Sequence, residues 1–324
     1  MRIAMLVVSA AVLAGQPAGA ASPRDIAACD GAAGDAAIAA CTRLIEDKTS
    51  DKWRLARAYV NRALAFQRKI DLPHALADFN ESVRLVPVPA VYIGRGRLYH
   101  FMRDDARAIA DFDQAIRQDP SSALAYQWRG ESYFAADHYR EALADFDESI
   151  RLDPNVAEVY WDRGQAHQMT DEFKAALADY SAEIQLEPHA VRGYISRALI
   201  RTGTGDPAGA VADCTAALGI EPAHAGALAA RGNAYLAMGL LGRAIQDYDA
   251  AIDLKPNWAL VYQKRGIAYR MRGERAQAIA DFQAAIKLEP KDMASRLELK
   301  GLGAEVSTEL KIVPKGKTML DMLK

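Results

Sequence analysis

The stretch AYQWRGESYFAADHYREALADFDESIRLDP, residues 125–154, contains the pattern that decides the fold. Apolar and small residues recur at intervals of three and four, first over residues 125–133 and again over residues 142–152. These intervals place them on one face of a helix. Pro154 then ends the second helix, because proline has no N–H to donate and clashes with the preceding turn. The stretch therefore predicts two helices joined by a turn.

The same unit returns along the chain every 34 residues, except that the junction between the first and second units, around Pro87-Val88-Pro89, is one residue short. A proline ends each of six units, at Pro120, Pro154, Pro188, Pro222, Pro256 and Pro290. A small residue recurs in the first helix, at Ala63, Gly96, Gly130, Gly164, Ala198, Gly232 and Gly266. A large residue recurs in the second helix, at Phe79, Phe112, Phe146, Tyr180, Cys214, Tyr248 and Phe282, where only the cysteine is not aromatic. Glycine inside a helix costs about 1 kcal/mol relative to alanine. Its recurrence indicates that two helices approach closely beside the aromatic ring.

This pattern resembles the tetratricopeptide repeat family, whose 34-residue unit carries an aromatic, Gly, Tyr, Ala, an aromatic and Pro in that order. The third unit matches it with Tyr126, Gly130, Tyr133, Ala142, Phe146 and Pro154. Seven units lie near residues 53–86, 89–119, 121–153, 155–187, 189–221, 223–255 and 257–289. The resemblance implies an all-α fold: an α-solenoid of about seven helix–turn–helix repeats in a right-handed superhelix, whose first helices line a concave groove.

Both ends of the chain depart from the repeat, as the caps of a solenoid do. Residues 37–46 match the second helix of a unit, which predicts an N-terminal half-repeat, and residues 292–302 predict a polar capping helix. The expected organisation is a signal peptide at 1–20, a disulfide-linked half-repeat cap at 21–50, seven repeats at 51–290, a capping helix at 291–303 and a tail at 304–324.

The first residues have the composition of a targeting segment. Arg2 precedes an apolar run from Ile3 to Leu13, and Ala18-Gly19-Ala20 fits a cleavage site. The run is too short for a stable transmembrane span. Cleavage is favoured over the alternative of an N-terminal membrane anchor. We therefore expect an exported protein of bacterial type, periplasmic or secreted, whose mature chain begins at Ala21 and contains no integral membrane segment.

The cysteines agree with an oxidising compartment. Cys29 and Cys41 are separated by a turn signal around Gly31 and Gly34, and two short helices joined there would bring the thiols together. We expect a disulfide between them. Cys214 stands alone in the aromatic column, where a buried, inert thiol is expected in preference to a nucleophile.

Two charged columns follow the repeat and leave two interpretations open. An Arg precedes the small column at Arg62, Arg95, Arg129, Arg163, Arg197, Arg231 and Arg265. An Asp precedes the large column at Asp78, Asp111, Asp145, Asp179, Asp213, Asp247 and Asp281. The columns are either a ladder that binds a polyvalent ligand or Arg–Asp pairs that bridge neighbouring helices. The equal numbers favour pairs within the stack.

Catalytic and metal-binding motifs are not found in the sequence. The six His residues show no metal-ligand spacing, and Gly203-Thr204-Gly205 lacks the lysine of a phosphate-binding loop. A net charge of −2 without a basic patch disfavours nucleic acid as a partner. We expect a non-enzymatic protein without metal or cofactor; a cryptic enzyme or an enzyme accessory module is the least favoured class.

The family resemblance implies where a partner binds. Carried over residue by residue, the candidate groove positions are Arg97, His100, Gln127, Glu131, Phe134, Trp161, Gln165, Gln168, Met169, Ile195, Asn233, Gln263 and Arg270. Exposed aromatic and Met residues among hydrogen-bonding groups suit a peptide or helix. The family's carboxylate clamp is disfavoured, since only Asn233 matches it.

These observations are compatible with two candidate functions. The first is a protein–protein interaction scaffold of the periplasm or envelope that binds a protein or peptide segment in its groove. The alternative is a structural or assembly subunit of an envelope or secretion complex. The oligomeric state expected for the scaffold is a monomer or a weakly self-associating chain.

Overall fold

The computed structural model describes residues 22–47 and 49–304, which form seventeen helices and no strand. The expected signal peptide lies outside the described residues, as does the expected tail apart from residue 304. In chain order the helices are α1 Pro23–Gly31, α2 Gly34–Glu46, α3 Lys52–Arg68, α4 Leu72–Leu85, α5 Pro89–Phe101, α6 Asp105–Gln118, α7 Ala123–Ala135, α8 Tyr139–Leu152, α9 Ala157–Met169, α10 Phe173–Leu186, α11 Val191–Gly203, α12 Pro207–Ile220, α13 Ala225–Ala237, α14 Leu241–Leu254, α15 Ala259–Arg272, α16 Arg275–Leu288 and α17 Met293–Gly301. The prediction of an all-α solenoid is confirmed.

The turn between the two helices of each repeat contains one residue in the left-handed region of backbone space. These residues are Ile70, Arg103, Asp137, Asp171, Gly205, Gly239 and Gly273. Glycine adopts this conformation without strain because it has no Cβ, whereas a β-branched residue does so at a cost. An aspartate such as Asp104 or Asp206 then caps the second helix by accepting a backbone N–H. The left-handed residue thus ends the first helix, and the second helix begins three or four residues after the end of the first.

The core of a repeat is built from the small and large columns. The Phe146 ring lies so close to Gly130 that a Cβ placed there would meet ring atom Cε1 at 2.7 Å. Phe146 itself is completely buried. In the fifth repeat the two columns differ less in size, since Ala198 and Ala230 cluster with Cys214, which is smaller than the aromatic residues of the other repeats. Close helix packing therefore requires small and large residues in complementary positions.

The chain divides into two compact units, one ending at Thr170 and the other beginning at Asp171. Unit 1 holds α1–α9, and its first helices pack successively, α3 on α5, α5 on α7 and α7 on α9. Unit 2 holds α10–α17, and there α11 packs on α13 and α13 on α15. In both units the first helix of a repeat also packs on the second helix, as α7 does on α8 and α13 does on α14.

The N-terminal cap is held by the predicted disulfide. Cys29 on α1 is bonded to Cys41 on α2, with the two Cα atoms 4.8 Å apart. Both residues are buried in a cluster with Leu44 and with Ala58 of the first full repeat. The Cys29–Cys41 prediction is confirmed, and the bond joins the two helices that cover the start of the solenoid.

Candidate functional site

All thirteen candidate residues lie on the first helices of their repeats, and we call the positions they occupy the first-helix face. In unit 1 they are Arg97 and His100 on α5, Gln127, Glu131 and Phe134 on α7, and Trp161, Gln165, Gln168 and Met169 on α9. In unit 2 they are Ile195 on α11, Asn233 on α13, and Gln263 and Arg270 on α15.

A charged cluster occupies the first-helix face of unit 1. The Arg97 guanidinium lies over the Trp128 ring, 4.3 Å from its centroid. Gln127, which is only 5% exposed, donates a hydrogen bond from Nε2 to Glu131 Oε1 at 3.1 Å. Burial, followed by the negative charge of Glu158, raises the pKa of Glu131 to about 7, although the Gln127 hydrogen bond and the charge of Arg97 act in the opposite direction. The structure therefore brings Arg97, Gln127 and Glu131 together around a carboxyl that ionises near neutrality.

His100 lies beside this cluster with an acid and a hydroxyl but does not form a catalytic triad. Its Nδ1 is 2.7 Å from Asp105 Oδ1 and 3.2 Å from Ser132 Oγ. A triad needs the acid on one ring nitrogen and the nucleophile on the other. Here both contacts share Nδ1, and Ser132 is fully buried. His100 acts as a structural link between α5, α7 and the start of α6.

The α9 residues of the face differ in exposure. Trp161 and Gln165 are partly buried, whereas Gln168 and Met169 are exposed. Met169 is 53% exposed, a large fraction for an apolar side chain. Phe134 on α7 packs edge-on against Tyr139, with ring centroids 5.4 Å apart. On this face of unit 1, Met169 is therefore exposed, whereas Phe134 packs against Tyr139.

In unit 2 several candidates are already engaged within the fold. Asn233 Oδ1 accepts a hydrogen bond of 2.8 Å from the Tyr248 hydroxyl. Gln263 donates to Asp292 Oδ1 at 2.9 Å, and Arg270 pairs with Glu298 at 2.9 Å. The latter two contacts fasten α15 to the start and middle of α17. Ile195 is partly buried and packs against the cluster around Cys214.

The Arg and Asp columns form pairs inside the stack. The closest N···O distances are 2.6–2.8 Å for Arg62–Asp78, Arg95–Asp111, Arg129–Asp145, Arg197–Asp213, Arg231–Asp247 and Arg265–Asp281. Each joins the two helices of one repeat. Arg129 also reaches Asp113 of the preceding repeat at 2.7 Å and lies between the rings of Tyr126 and Tyr133. The interpretation of the columns as structural pairs is confirmed for these repeats.

In the described part of the chain, neither the free cysteine nor a group of metal-ligand side chains forms a second site. Burial raises the pKa of the Cys214 thiol to about 12, so it stays protonated near neutrality. Within residues 22–47 and 49–304, no group of three or more His, Cys, Asp or Glu side chains is arranged to hold a metal ion. In the same ranges, none of the helices combines the length and apolar character needed to cross a bilayer.

Two residues of the charged cluster in unit 1 were not predicted from the sequence. Trp128 supplies the ring on which Arg97 lies, and Glu158 acts on Glu131 from α9. Glu158 lies three residues before Trp161, a spacing that places both on one side of a helix. Extending the candidate positions back by one helical turn would therefore have included Glu158. Trp128 is not a groove position of the family, and no signal pointed to it.

Comparison with known proteins agrees with this architecture. Family models described as tetratricopeptide repeat match residues 89–122, 123–156 and 259–292, and a model described as TPR repeat matches residues 232–273. The chain belongs to the tetratricopeptide repeat (TPR) family. Among curated protein sequences, none matches it. The TPR family is one whose members serve as scaffolds for protein–protein interaction, and nothing in the described residues points to catalysis.

Solved TPR structures share the fold at low sequence identity. A tetratricopeptide repeat protein from Parabacteroides merdae has a TM-score of 0.60 at 18% identity, over 76% of this chain and 98% of its own. PilF of Pseudomonas aeruginosa has a TM-score of 0.57 at 17% identity, over 66% of this chain and 97% of its own. The Cut9–Hcn1 hetero-tetramer of the APC/C has a TM-score of 0.61 at 16% identity, over 82% of this chain. The match spans only 52% of that protein's chain. These similarities concern the fold.

Proposed function

We propose that this TPR protein is an interaction scaffold of the periplasm or cell envelope, which binds a peptide or protein segment through its first-helix face. The observation that carries the proposal is the exposure of large apolar side chains on first helices. Phe101, Met169, Leu199 and Met271 are 46%, 53%, 47% and 52% exposed. Apolar residues next to hydrogen-bonding groups are typical of surfaces that bind peptides.

Site-specific photo-cross-linking tests this assignment of the binding face. A benzophenone amino acid would be introduced at Phe101 or Met271, and at Leu254 or Leu288 near the ends of second helices as matched exposed controls. We expect adducts with a discrete partner in an envelope extract from the first-helix positions and not from the controls. Adducts from the control positions alone, or equal adducts from all four, would count against the proposal.

The location outside the cytoplasm is part of the proposal. It is supported by the signal-peptide composition of residues 1–20 and by the Cys29–Cys41 bond, since disulfides persist in oxidising compartments. Mass spectrometry of the protein purified from its native cells tests both. We expect a mature chain that begins at Ala21 with the disulfide formed. An intact Met1 or two free thiols would contradict this location.

One observation favours the alternative, an assembly subunit. Met293 and Leu297 are 73% and 71% exposed, and their spacing places them on the same side of α17. An exposed apolar strip at the end of a solenoid suits association with a further chain. Sedimentation of the purified protein separates the two functions. A monomer supports the scaffold, whereas an oligomer that Leu297→Glu dissociates supports the assembly subunit.

A further inference from the structure

Resting on the proposed function, we propose that α17 extends the first-helix face by one helix and binds an apolar side chain of the partner that has an acidic residue beside it. The apolar side chain packs on Met293 and Leu297, and the acid lies near Lys300. The partner is thus a segment with an apolar and an acidic residue side by side, and α17 has a binding role besides that of a cap.

The solvent side of α17 is unlike that of an ordinary cap. The terminal helix of a solenoid normally presents a polar side to water, because no further repeat covers it. α17 instead exposes Met293 and Leu297, at 73% and 71%. Their spacing of four residues places both on one side of the helix, whereas Leu299 is buried in a cluster with Phe282. An apolar pair therefore faces water where a cap requires polar residues.

Two contacts show that α17 lies alongside α15 and parallel to it. Gln263 donates to Asp292 at 2.9 Å, and Arg270 pairs with Glu298 at 2.9 Å, roughly two turns further along both helices. The preceding first helices of unit 2 are also neighbours, since α11 packs on α13 and α13 on α15. α17 therefore takes the place that the first helix of an eighth repeat would take.

The phase of the repeat assigns Leu297 to the first-helix face. Leu297 follows the candidate residue Gln263 by 34 residues, and Ile195 is the candidate at the same phase two repeats earlier. A residue at this phase contacts the next first helix, since Ile195 Cδ1 lies 3.9 Å from the Cβ position of Gly226 on α13. Among the described residues no helix follows α17. Leu297 therefore lies at the open end of the row of first helices, where a bound segment can cover it.

The side chains that border the apolar pair carry an excess of positive charge. Arg296 and Lys300 lie on one border, each one turn after a residue of the pair. Arg296 donates to the carbonyl oxygen of Pro290 at 2.9 Å, and Lys300 is exposed. On the other border, Glu298 is already paired with Arg270. An acidic residue of the partner would therefore complement the charge of this surface.

The area of α17 favours a segment bound along the first-helix face over a second copy bound to α17 alone. A helix of 9 residues is about 13 Å long and about 10 Å wide, so its solvent side offers on the order of 150 Å². A stable complex buries about 800 Å² on each partner. α17 can therefore hold one or two side chains of a segment whose other contacts lie on α15 and the first helices before it.

Peptide display tests the chemistry of this surface. A phage-displayed library of random dodecapeptides would be selected on the purified chain, on Lys300→Gln and on Lys287→Gln. Lys287 is an exposed lysine on the second helix α16, so its substitution makes the same change in net charge away from the face. We expect the selected peptides to share an apolar position next to an acidic one. Enrichment of the acidic position should disappear with Lys300→Gln and persist with Lys287→Gln.

A synthetic peptide from the selection then tests the apolar contact. Its dissociation constant would be measured by calorimetry with the wild type, with Leu297→Ala and with Leu254→Ala. Leu254 is an exposed leucine at the end of the second helix α14 and serves as the matched control. We expect Leu297→Ala to raise the dissociation constant roughly tenfold, because less apolar area leaves water on binding, and Leu254→Ala to leave it unchanged. Circular dichroism of the variants confirms that they fold.

Photo-cross-linking locates the bound peptide on the chain. Benzoylphenylalanine would replace the apolar residue of the synthetic peptide, and mass spectrometry of the digested adduct would identify the labelled helix. We expect the label on α17, and its loss in the presence of an excess of the unmodified peptide.

The outcomes separate this inference from the proposed function. Peptides that label only other first helices, or whose affinity is unaffected by Leu297→Ala, would overturn the role of α17 and leave the scaffold function intact. Peptides without a shared acidic position would overturn the assigned partner chemistry. A chain that sediments as a dimer and is dissociated by Leu297→Glu would show that α17 binds a second copy instead. If no peptide is enriched on any form of the chain, both the inference and the peptide-binding function fail.

Discussion

Ile70 is the residue least suited to its place in the backbone. It occupies the left-handed turn position of the first repeat with a φ of 62°, where the last three repeats have glycine. The left-handed conformation costs an L-residue about 1–2 kcal/mol, and β-branched residues rarely adopt it. Its side chain is 72% exposed, so little packing compensates for this.

Replacing Ile70 by glycine should therefore stabilise the protein. We expect Ile70→Gly to increase the free energy of unfolding by roughly 0.5–1 kcal/mol, because relief of strain exceeds the entropy that glycine adds to the unfolded chain. The matched exchange is Gly273→Ile at the same turn of the last repeat, where no atom lies within 4 Å of an added Cβ. It should destabilise by about 1–2 kcal/mol. Urea unfolding measures both, and equal effects of the two exchanges would contradict the backbone explanation.

Glu131 makes stability depend on pH in a direction opposite to that of an ordinary paired carboxylate. Its folded-state pKa of about 7 lies above the reference value of 4.5, chiefly because the group is buried. Between these two values the folded chain holds the proton and the unfolded chain does not. The contribution of Glu131 to stability is therefore full below pH 4.5 and is lost as the pH rises through 7.

Glu131→Gln separates this contribution from the other carboxyl groups. Glutamine resembles the protonated acid and stays neutral, so the variant should match the wild type at about pH 5. At about pH 8 the variant should be more stable, by roughly 1–3 kcal/mol. Thermal unfolding across this range provides the measurement, with Glu141→Gln as the exposed control. A Glu131→Gln effect that is independent of pH would show that its carboxyl ionises normally in the folded chain.

Some of these residue-level features could be predicted from the sequence and others could not. The Arg129–Asp145 pair was predictable because both residues keep the phase of the repeat. The left-handed turn column was equally visible, since Gly205, Gly239 and Gly273 share one phase. The ionisation of Glu131 was not, because it depends on burial and on Glu158 from a different helix.

At the scale of the helical pair, the close approach of first and second helices depends on glycine. An added Cβ at Gly130 would lie 2.7 Å from Phe146 Cε1. Because Phe146 is fully buried, its ring could move away only by displacing its neighbours. The pairing of small and large columns was predicted from the sequence. A second contact of Phe79 was not: besides clustering with Ala63 of its own repeat, its Cε1 lies 2.7 Å from the Cβ position of Gly94, in the first helix of the next repeat.

Gly130→Ala tests the packing against helix propensity. Alanine is the better helix former by about 1 kcal/mol, yet we expect net destabilisation of roughly 1–3 kcal/mol because the ring and the helices must move apart. Gly219→Ala is the control, since Gly219 lies in α12 with no atom within 4 Å of an added Cβ. That substitution should be neutral or stabilising by some tenths of a kcal/mol, as its position near the helix end limits the gain. Stabilisation by both substitutions in chemical denaturation would refute the close-approach explanation.

At the scale of the whole molecule, the free energy of unfolding is approximately a sum of contributions from each repeat and from its contacts with adjacent repeats. A solenoid repeat contacts only adjacent repeats, so an exposed terminal repeat lacks half of its support. The N-terminal cap replaces this support with covalent and polar links. Besides the Cys29–Cys41 bond, Arg62 of the first repeat donates to Thr42 at 2.9 Å, and Asn61 donates to Asp30 at 2.9 Å.

Removal of the disulfide should therefore have a local effect. The bond closes a sequence separation of 12 residues, and the chain-entropy model gives it about 3 kcal/mol of stabilisation. In Cys29→Ala/Cys41→Ala we expect amide hydrogen exchange to accelerate most in α1 and α2 and less in α3. Exchange in unit 2 should be unchanged, because each repeat is stabilised by its nearest neighbours.

Cys214→Ala, which removes a free thiol in unit 2, is the matched control and should leave exchange in α1 and α2 unaffected. Uniform acceleration along the whole chain in the double variant would mean that the solenoid unfolds as one cooperative body, and that the cap has no separate role.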